Sequence, residues 1–308
     1  MDKKKLIGVV VSLFIFQLFV NAEEDSPAVY IKASGFASPL VEQWIAAYQD
    51  QYPDASIRLA GKDRKEEAVE LVIRSYDPEE IPSGKEVVYT GRYALLPATT
   101  KDNPYLNDLT GRKWSKKEVR KLFFSGDPLE EVKSKKEKVE DKLTVYAGNR
   151  SATSVVVASH FGSIPSDLKG ARISGDDRFL LNALQKDPTG IMYNALPYLF
   201  DLETRRLKPE LVLLPLDVKK EYQVLFSQPD IDRTIEWLEA RTAEAVPVGY
   251  IGFIYTAGQD DRLDHFLQWV TQDGQSFCHR FGLLQLDPQT LAQQQKKLSA
   301  NRQFLTKQ

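Results

Sequence analysis

The stretch Ala147-Gly-Asn-Arg-Ser-Ala-Thr-Ser-Val155 gathers the hydroxyls of Ser151, Thr153 and Ser154, the amide of Asn149 and the guanidinium of Arg150 among small residues. Before it, Leu143-Thr-Val-Tyr146 reads as a strand; after it, Val155-Val-Val-Ala158 opens an apolar helix. The first turn of a helix carries N–H groups with no intrahelical partner and the positive end of the dipole, so it can receive an anion. Ser151, Thr153 or Ser154 can act as the N-cap. Arg150 adds a permanent charge whose fork of donors suits a carboxylate or phosphate. The same residues also make an ordinary capped helix with a surface arginine, and this stretch alone leaves both readings open.

Catalytic signals are sparse. The chain has no Gly-x-Ser-x-Gly, no His-Glu-x-x-His and no Walker loop. His160, His265 and His279 are far apart, and Cys278-His279 is adjacent rather than spaced for zinc. A nucleophilic Ser151 would need a base that the sequence does not supply nearby. No catalytic residue, metal site or cofactor is therefore assigned, and an esterase- or phosphatase-type enzyme is the lesser alternative to binding. Cys278 is the sole cysteine, so no intrachain disulfide can form, and its thiol is expected in the core.

The elements that must position these residues follow from periodicity. Lys3-Lys4-Lys5, the apolar run Leu6–Val20 and the small Ala22 predict an export leader over residues 1–22, hence an extracytoplasmic protein. Without those residues the chain carries 38 Lys and Arg against 42 Asp and Glu, a balance that does not suggest nucleic acid as a partner. Val29–Ala33, Ser56–Ala60 and Val69–Ile73 read as strands. They alternate with a helix from Pro39, whose Leu40, Val41, Trp44, Ile45 and Tyr48 share a face, and with a charged, helical Lys62–Ala68 connection. This β-α-β-α-β start predicts an α/β fold with a parallel sheet. Val87–Tyr89 and Tyr93–Leu96 are apolar runs on either side of Gly91-Arg92. Ser115 opens a basic helix with Glu118 placed for a capping box. Glu130–Lys142 mixes both charge signs and reads as a solvated loop or helix. Asp176 and Asp177 precede another helix, Phe179–Leu184, with Asp176 as its expected N-cap. Ala245–Tyr255 is a long β-prone run, and helices follow over Leu263–Gln272 and from Leu286.

In order and spacing these pieces resemble the phosphate-binding periplasmic proteins of ABC importers, within the type II solute-binding fold. Ala33-Ser-Gly-Phe-Ala-Ser-Pro-Leu40 with Trp44 is similar to that family's first ligand loop. Ser151-Ala-Thr153 resembles its Ser-Gly-Thr anion loop, and Asp187-Pro-Thr-Gly-Ile-Met-Tyr193 its Pro-Gly-x-x-Gly-Tyr segment. Phe266-Leu-x-Trp-Val, Gly274-Gln and Phe281-Gly-Leu-Leu284 resemble the closing signature before the last helix. The likeness covers about Tyr30 to Asp287.

The resemblance implies two α/β lobes joined by two β crossover strands, Tyr89–Pro97 and Val246–Tyr255. Residues 23–97 plus 247–308 would form lobe one and 98–246 lobe two, with a ligand between them. It implies a monomer that captures phosphate or a similar small oxyanion and passes it to ABC permease subunits. The implied ligand-binding residues are Ser34, Gly35, Phe36, Ala37, Ser75, Asp77, Arg92, Asn149, Arg150, Ser151, Ala152 and Thr153. Phe36 matches the family's Phe, whose backbone N–H faces the anion, while Gly35 replaces a Thr. Ser75 matches a Ser, but the family's proton-accepting Asp is replaced by Tyr76, with Asp77 one position on. Asp77 reaches the anion or caps the turn before Pro78. The family's Arg position is Ala147, so the charge would come from Arg150, or from Arg92 unless that is a surface strand residue. Tyr193 lines the cleft or sits in the core, and Gly170–Asp177 borders the cleft unless Asp176 is there simply as an N-cap. The degenerate loops leave an alternative, a sensing or partner-binding module that keeps the fold without transport.

Overall fold

The computed structural model describes residues 28–33, 35–61, 69–74, 81–125, 139–149 and 151–305. The expected leader, the Lys62–Ala68 connection and most of Glu130–Lys142 lie outside these residues. Nine described strands form one sheet: β1 Val29–Lys32, β2 Ile57–Leu59, β3 Val69–Arg74, β4 Glu86–Thr100, β5 Thr144–Gly148, β6 Ala171–Ile173, β7 Gly190–Ala195, β8 Leu211–Leu213 and β9 Val248–Tyr255. The described helices are α1 Ser38–Gln51, α2 Leu106–Thr110, α3 Lys116–Phe123, α4 Ala152–His160, α5 Phe179–Lys186, α6 Leu196–Leu199, α7 Val224–Ser227, α8 Ile231–Ala240, α9 Asp261–Val270 and α10 Pro288–Leu305.

The sheet order is β2-β1-β3-β9-β4-β7-β5-β6, with β8 also on β4. β1 runs parallel to β2 and β3, and β5 parallel to β6 and β7, as βαβ connections require. The two parallel groups are joined through antiparallel β4 and β9. β4 is the common member: its first part pairs with β9, and Leu95–Thr99 pairs with β7. The two apolar runs around Gly91-Arg92 are thus one strand, with an irregularity in register between Tyr89 and Gly91. β6 carries no alternation strong enough to announce it.

The predicted face of α1 is the buried one: Leu40, Val41, Trp44, Ile45 and Tyr48 all lie in the core. Trp44 Nε1 donates to the Gly274 carbonyl at 2.7 Å, tying α1 to the 3₁₀ segment Asp273–Phe281. The capping box of α3 forms as expected, with Ser115 N donating to Glu118 Oε2 at 2.9 Å and Glu118 N to Ser115 Oγ at 3.4 Å. A seam joins α8 and the turn that follows α6 to residues 279–285. Arg205 holds a left-handed φ of 62° while its guanidinium bonds Asp232 and the carbonyls of His279 and Arg280 at 2.8 and 3.1 Å. Glu239 Oε1 takes the Gln285 N–H at 2.6 Å and lies 2.9 Å from His279 Nε2.

Candidate functional site

β5 delivers the hydroxyl-rich stretch to the start of α4. Ser151 is extended (φ −76°, ψ 151°) and is the N-cap, its Oγ accepting the Ser154 N–H at 3.2 Å. Val155 N bonds the Ser151 carbonyl at 3.2 Å, which leaves the N–H groups of Ala152 and Thr153 as the donors of this turn. Ser151 Oγ also lies 2.9 Å from Thr153 Oγ1 and 3.1 Å from Ser154 Oγ. Ser154 Oγ donates back to the Gly148 carbonyl at 2.8 Å. Gly148 is glycine because of proximity: a Cβ there would overlap both Ser151 Oγ and Asp177 Oδ1.

Asp177 ends the Gly170–Asp177 segment that the sequence allowed at the cleft border or at a helix start. Its carboxylate reaches across to α4, where Thr153 Oγ1 donates to Oδ2. Asn194 Nδ2 donates to the Asp177 carbonyl at 3.0 Å and fixes the backbone. Asp177 is only 9 % exposed, and its Oδ1 is buried with no hydrogen-bond partner among the described residues. Burial raises its pKa, the hydrogen bond from Thr153 and the neighbouring Ser151 hydroxyl oppose the shift, and the charge of Asp176 adds to it. Asp176 is not the N-cap of α5: that position is Arg178, without a side-chain cap. Asp176 Oδ1 instead accepts the Arg178 N–H at 2.9 Å, and its carboxylate adds to burial in raising the pKa of Tyr198.

Aromatic contacts bring the first loop to the same place. Gly35–Ala37 form a 3₁₀ turn, with Gly35 at φ 61°, that leads straight into α1 without a side-chain cap. The Phe36 ring lies 5.2 Å from that of Tyr93 and edge-on to that of Tyr198 at 5.6 Å. Tyr198 belongs to α6, beside Asp176, and Tyr93 belongs to β4. Tyr93 is completely buried, and its hydroxyl has no hydrogen-bond partner among the described residues. Its pKa is raised by burial first and then by the charge of Asp177.

Of the expected site residues, Gly35, Phe36 and Ala37 on one side and Ser151, Ala152 and Thr153 on the other are linked through Tyr93, Tyr198 and Asp177. Asn149 faces the loop after β6, with Nδ2 3.3 Å from Ser174 Oγ. Arg92 is turned away from Tyr93, as neighbours in a strand are, and its Nε donates to the Gln285 carbonyl at 2.8 Å. Tyr193 is a core residue whose hydroxyl donates to the Ala245 carbonyl at 2.8 Å. Ser34, Ser75, Asp77 and Arg150 lie outside the described residues. Tyr93 was missed because no local pattern marks it; Asp177 lay in a segment expected near the cleft but was not singled out as a ligand group, the Asp176-Asp177 pair before an apolar helix being its one signal.

No family model matches the sequence, and no curated protein matches it. Solved structures do match in fold. A phosphate ABC transporter substrate-binding protein from Clostridium perfringens, with bound phosphate, superposes at a TM-score of 0.54 and 12 % identity, over 85 % of this chain and all of that one. An ABC-type phosphate transport receptor from Vibrio cholerae gives a TM-score of 0.52 at 10 % identity, over 84 % of this chain and all of the other. At such identities the likeness is one of architecture, and the chain has the α/β fold of type II periplasmic binding proteins.

Proposed function

We propose that this chain is an exported binding protein that closes two lobes on a small protonated oxyanion, phosphate in class, and passes it to an ABC permease. The lobes are residues 23–97 with 247–308, and 98–246, hinged where β4 and β9 run side by side. The observation that carries the reading is Asp177 at the start of α4. Next to a helix N-terminus that favours negative charge stands a buried carboxylate with one oxygen free. Donors and an acceptor at one spot fit a group that carries both O⁻ and O–H. Hydrogen phosphate has both; sulfate at neutral pH has no proton to give. Asp177 thereby fills the acceptor role for which the sequence had offered Asp77.

Two further facts support binding over catalysis. The fold is that of solved binding proteins. The three histidines are engaged elsewhere, His160 with the Glu244 carbonyl, His265 with Tyr48 and His279 with Glu239, so none serves Ser151 as a base. The test is calorimetry on the purified protein with phosphate, and with sulfate as competitor. Phosphate is expected to bind and sulfate to compete weakly; the absence of heat with either anion refutes the reading.

One observation favours a second reading. The Thr153 hydroxyl is already spent on Asp177, so the chain carries its own anion where an external one would sit. In that case the fold serves as a sensing or partner-binding module, Asp177→Asn changes stability alone, and neither phosphate nor sulfate shifts the melting temperature.

A further inference from the structure

We infer that Tyr93, on the strand shared by both halves of the sheet, is a ligand donor of this site and supplies from the hinge the hydrogen bond that Arg92 does not. The inference rests on the oxyanion reading above. Three observations lead to it. Tyr93 is completely buried, yet its hydroxyl has no partner among the described residues. An orphaned buried hydroxyl is costly, and native proteins keep few of them. The one other group of this site in the same condition is Asp177 Oδ1, and the two have opposite hydrogen-bonding sense: a phenol donates and a carboxylate accepts. The charge of Asp177 reaches Tyr93, and no hydrogen bond joins the two groups. A ligand group that accepts through one oxygen and donates through another closes that gap and satisfies both.

The backbone is arranged to hold the phenol there. Tyr93 lies across Gly249 on β9, where a Cβ would come within 2.5–2.6 Å of its Cζ, Cε1 and hydroxyl. α4 packs against β9 and β3, so the strand under Tyr93 also borders the helix that presents Ala152 and Thr153. The ring is braced on the other side by Phe36 at 5.2 Å. The packing of Tyr93 is thus accounted for, while the hydrogen bond its hydroxyl should make has no partner among the described residues.

Tyr93→Phe separates the hydroxyl from the ring, since all the packing against Gly249 and Phe36 is retained. Phosphate affinity is measured by calorimetry for wild type and variant, and the melting temperature of both is measured without ligand. A hydrogen bond to a charged ligand predicts about ten- to hundred-fold weaker phosphate binding. The unliganded melting temperature should hold or rise, because an unsatisfied hydroxyl is removed. Equal phosphate affinity in the two proteins overturns the inference while leaving the oxyanion reading intact. A fall of several degrees in the unliganded variant also overturns it, because the hydroxyl would then be bonded within the protein; this arm decides even without phosphate. Wild-type protein that fails to bind phosphate refutes the oxyanion reading itself.

Discussion

Gly148→Ala probes the geometry on which the site depends. The added Cβ would overlap Ser151 Oγ and Asp177 Oδ1 and lie 2.6 Å from Ser151 Cβ. Neither neighbour is the loose end of a long side chain. Ser151 is tied to Ser154 N at 3.2 Å, and Asp177 is held by Thr153 and, through its carbonyl, by Asn194 at 3.0 Å. Making room means swinging both away. Losing the N-cap of α4 costs about 1 kcal/mol. Losing the charge-assisted bond from Thr153 costs roughly 1.5–3 kcal/mol. The two share partners and will not add in full, so about 2–4 kcal/mol is expected. For a protein of this size each kcal/mol moves the melting temperature by roughly 2–4 °C, which gives a drop of about 5–15 °C. Gly61→Ala is the matched control, because nothing lies within 4 Å of its built Cβ. Thermal unfolding followed by circular dichroism would compare the three proteins. A Gly148→Ala variant that melts within about 2 °C of wild type, as Gly61→Ala should, refutes the placement of Asp177 against the start of α4.

Asp177→Asn should show its effect through pH. Burial raises the native pKa of Asp177, so its contribution to stability is complete below the ordinary carboxylate range near 4 and is lost as pH rises through the raised value. The variant escapes that loss, and its melting temperature relative to wild type should climb from pH 4 to pH 7; a flat difference would mean the carboxylate is not desolvated. Glu239→Gln reports on the seam at His279. The hydrogen bond to Glu239 raises His279, and although burial works against Glu239, bonds from His279 and Gln285 hold it low. The pair therefore contributes most between about pH 4.5 and 6.5, losing Glu239 below and His279 above. With His279 41 % exposed, about 1 kcal/mol or less is at stake, seen as a deficit of a few degrees near pH 5.5 that fades by pH 9. An unchanged deficit at pH 9 would refute the assignment. Burial, with a further push from Glu239, lifts the Cys278 thiol to about 12, so a thiol reagent should label it on unfolding alone. Rapid labelling of the native protein would contradict its placement in the core.

What the sequence made legible was whatever local chemistry decides. The buried face of α1 follows from helical spacing, and Ser115 with Glu118 closes the capping box from three residues apart. Ser151 is the N-cap because a serine before small and apolar residues has little else to do. Long-range pairing was not legible. β4 is continuous because β9 and β7, more than 90 residues away in the chain, pair with its two parts across Gly91-Arg92. The irregularity between Tyr89 and Gly91 sets which residues face the site, and a shift of one reverses every face. That is why Arg92 drew attention by its charge while Tyr93 took the position. Asp177 escaped for a related reason: its partner Thr153 lies 24 residues earlier, and adjacent aspartates before a helix look like caps.

The charge of Asp177 also fixes what the oxyanion reading must mean. Two like charges about 4 Å apart repel by about 4 kcal/mol at the effective dielectric of a protein surface, and by more in a buried site. A fully deprotonated anion beside Asp177 would bear that cost. An anion that keeps one proton still bears negative charge, but it can place the proton on Oδ1 and offset the repulsion with a charge-assisted hydrogen bond of roughly 1.5–3 kcal/mol. That hydrogen bond alone corresponds to a preference of about ten- to hundred-fold, with each 1.4 kcal/mol a factor of ten. Replacing Asp177 by Asn removes the repulsion and keeps an acceptor for Thr153. Under the oxyanion reading, sulfate should then gain affinity on the variant while phosphate loses it, and the ratio of the two affinities by calorimetry should collapse toward one. If both anions move together, the carboxylate does not read the proton, and Asp177 is the internal anion that caps α4 for the fold alone.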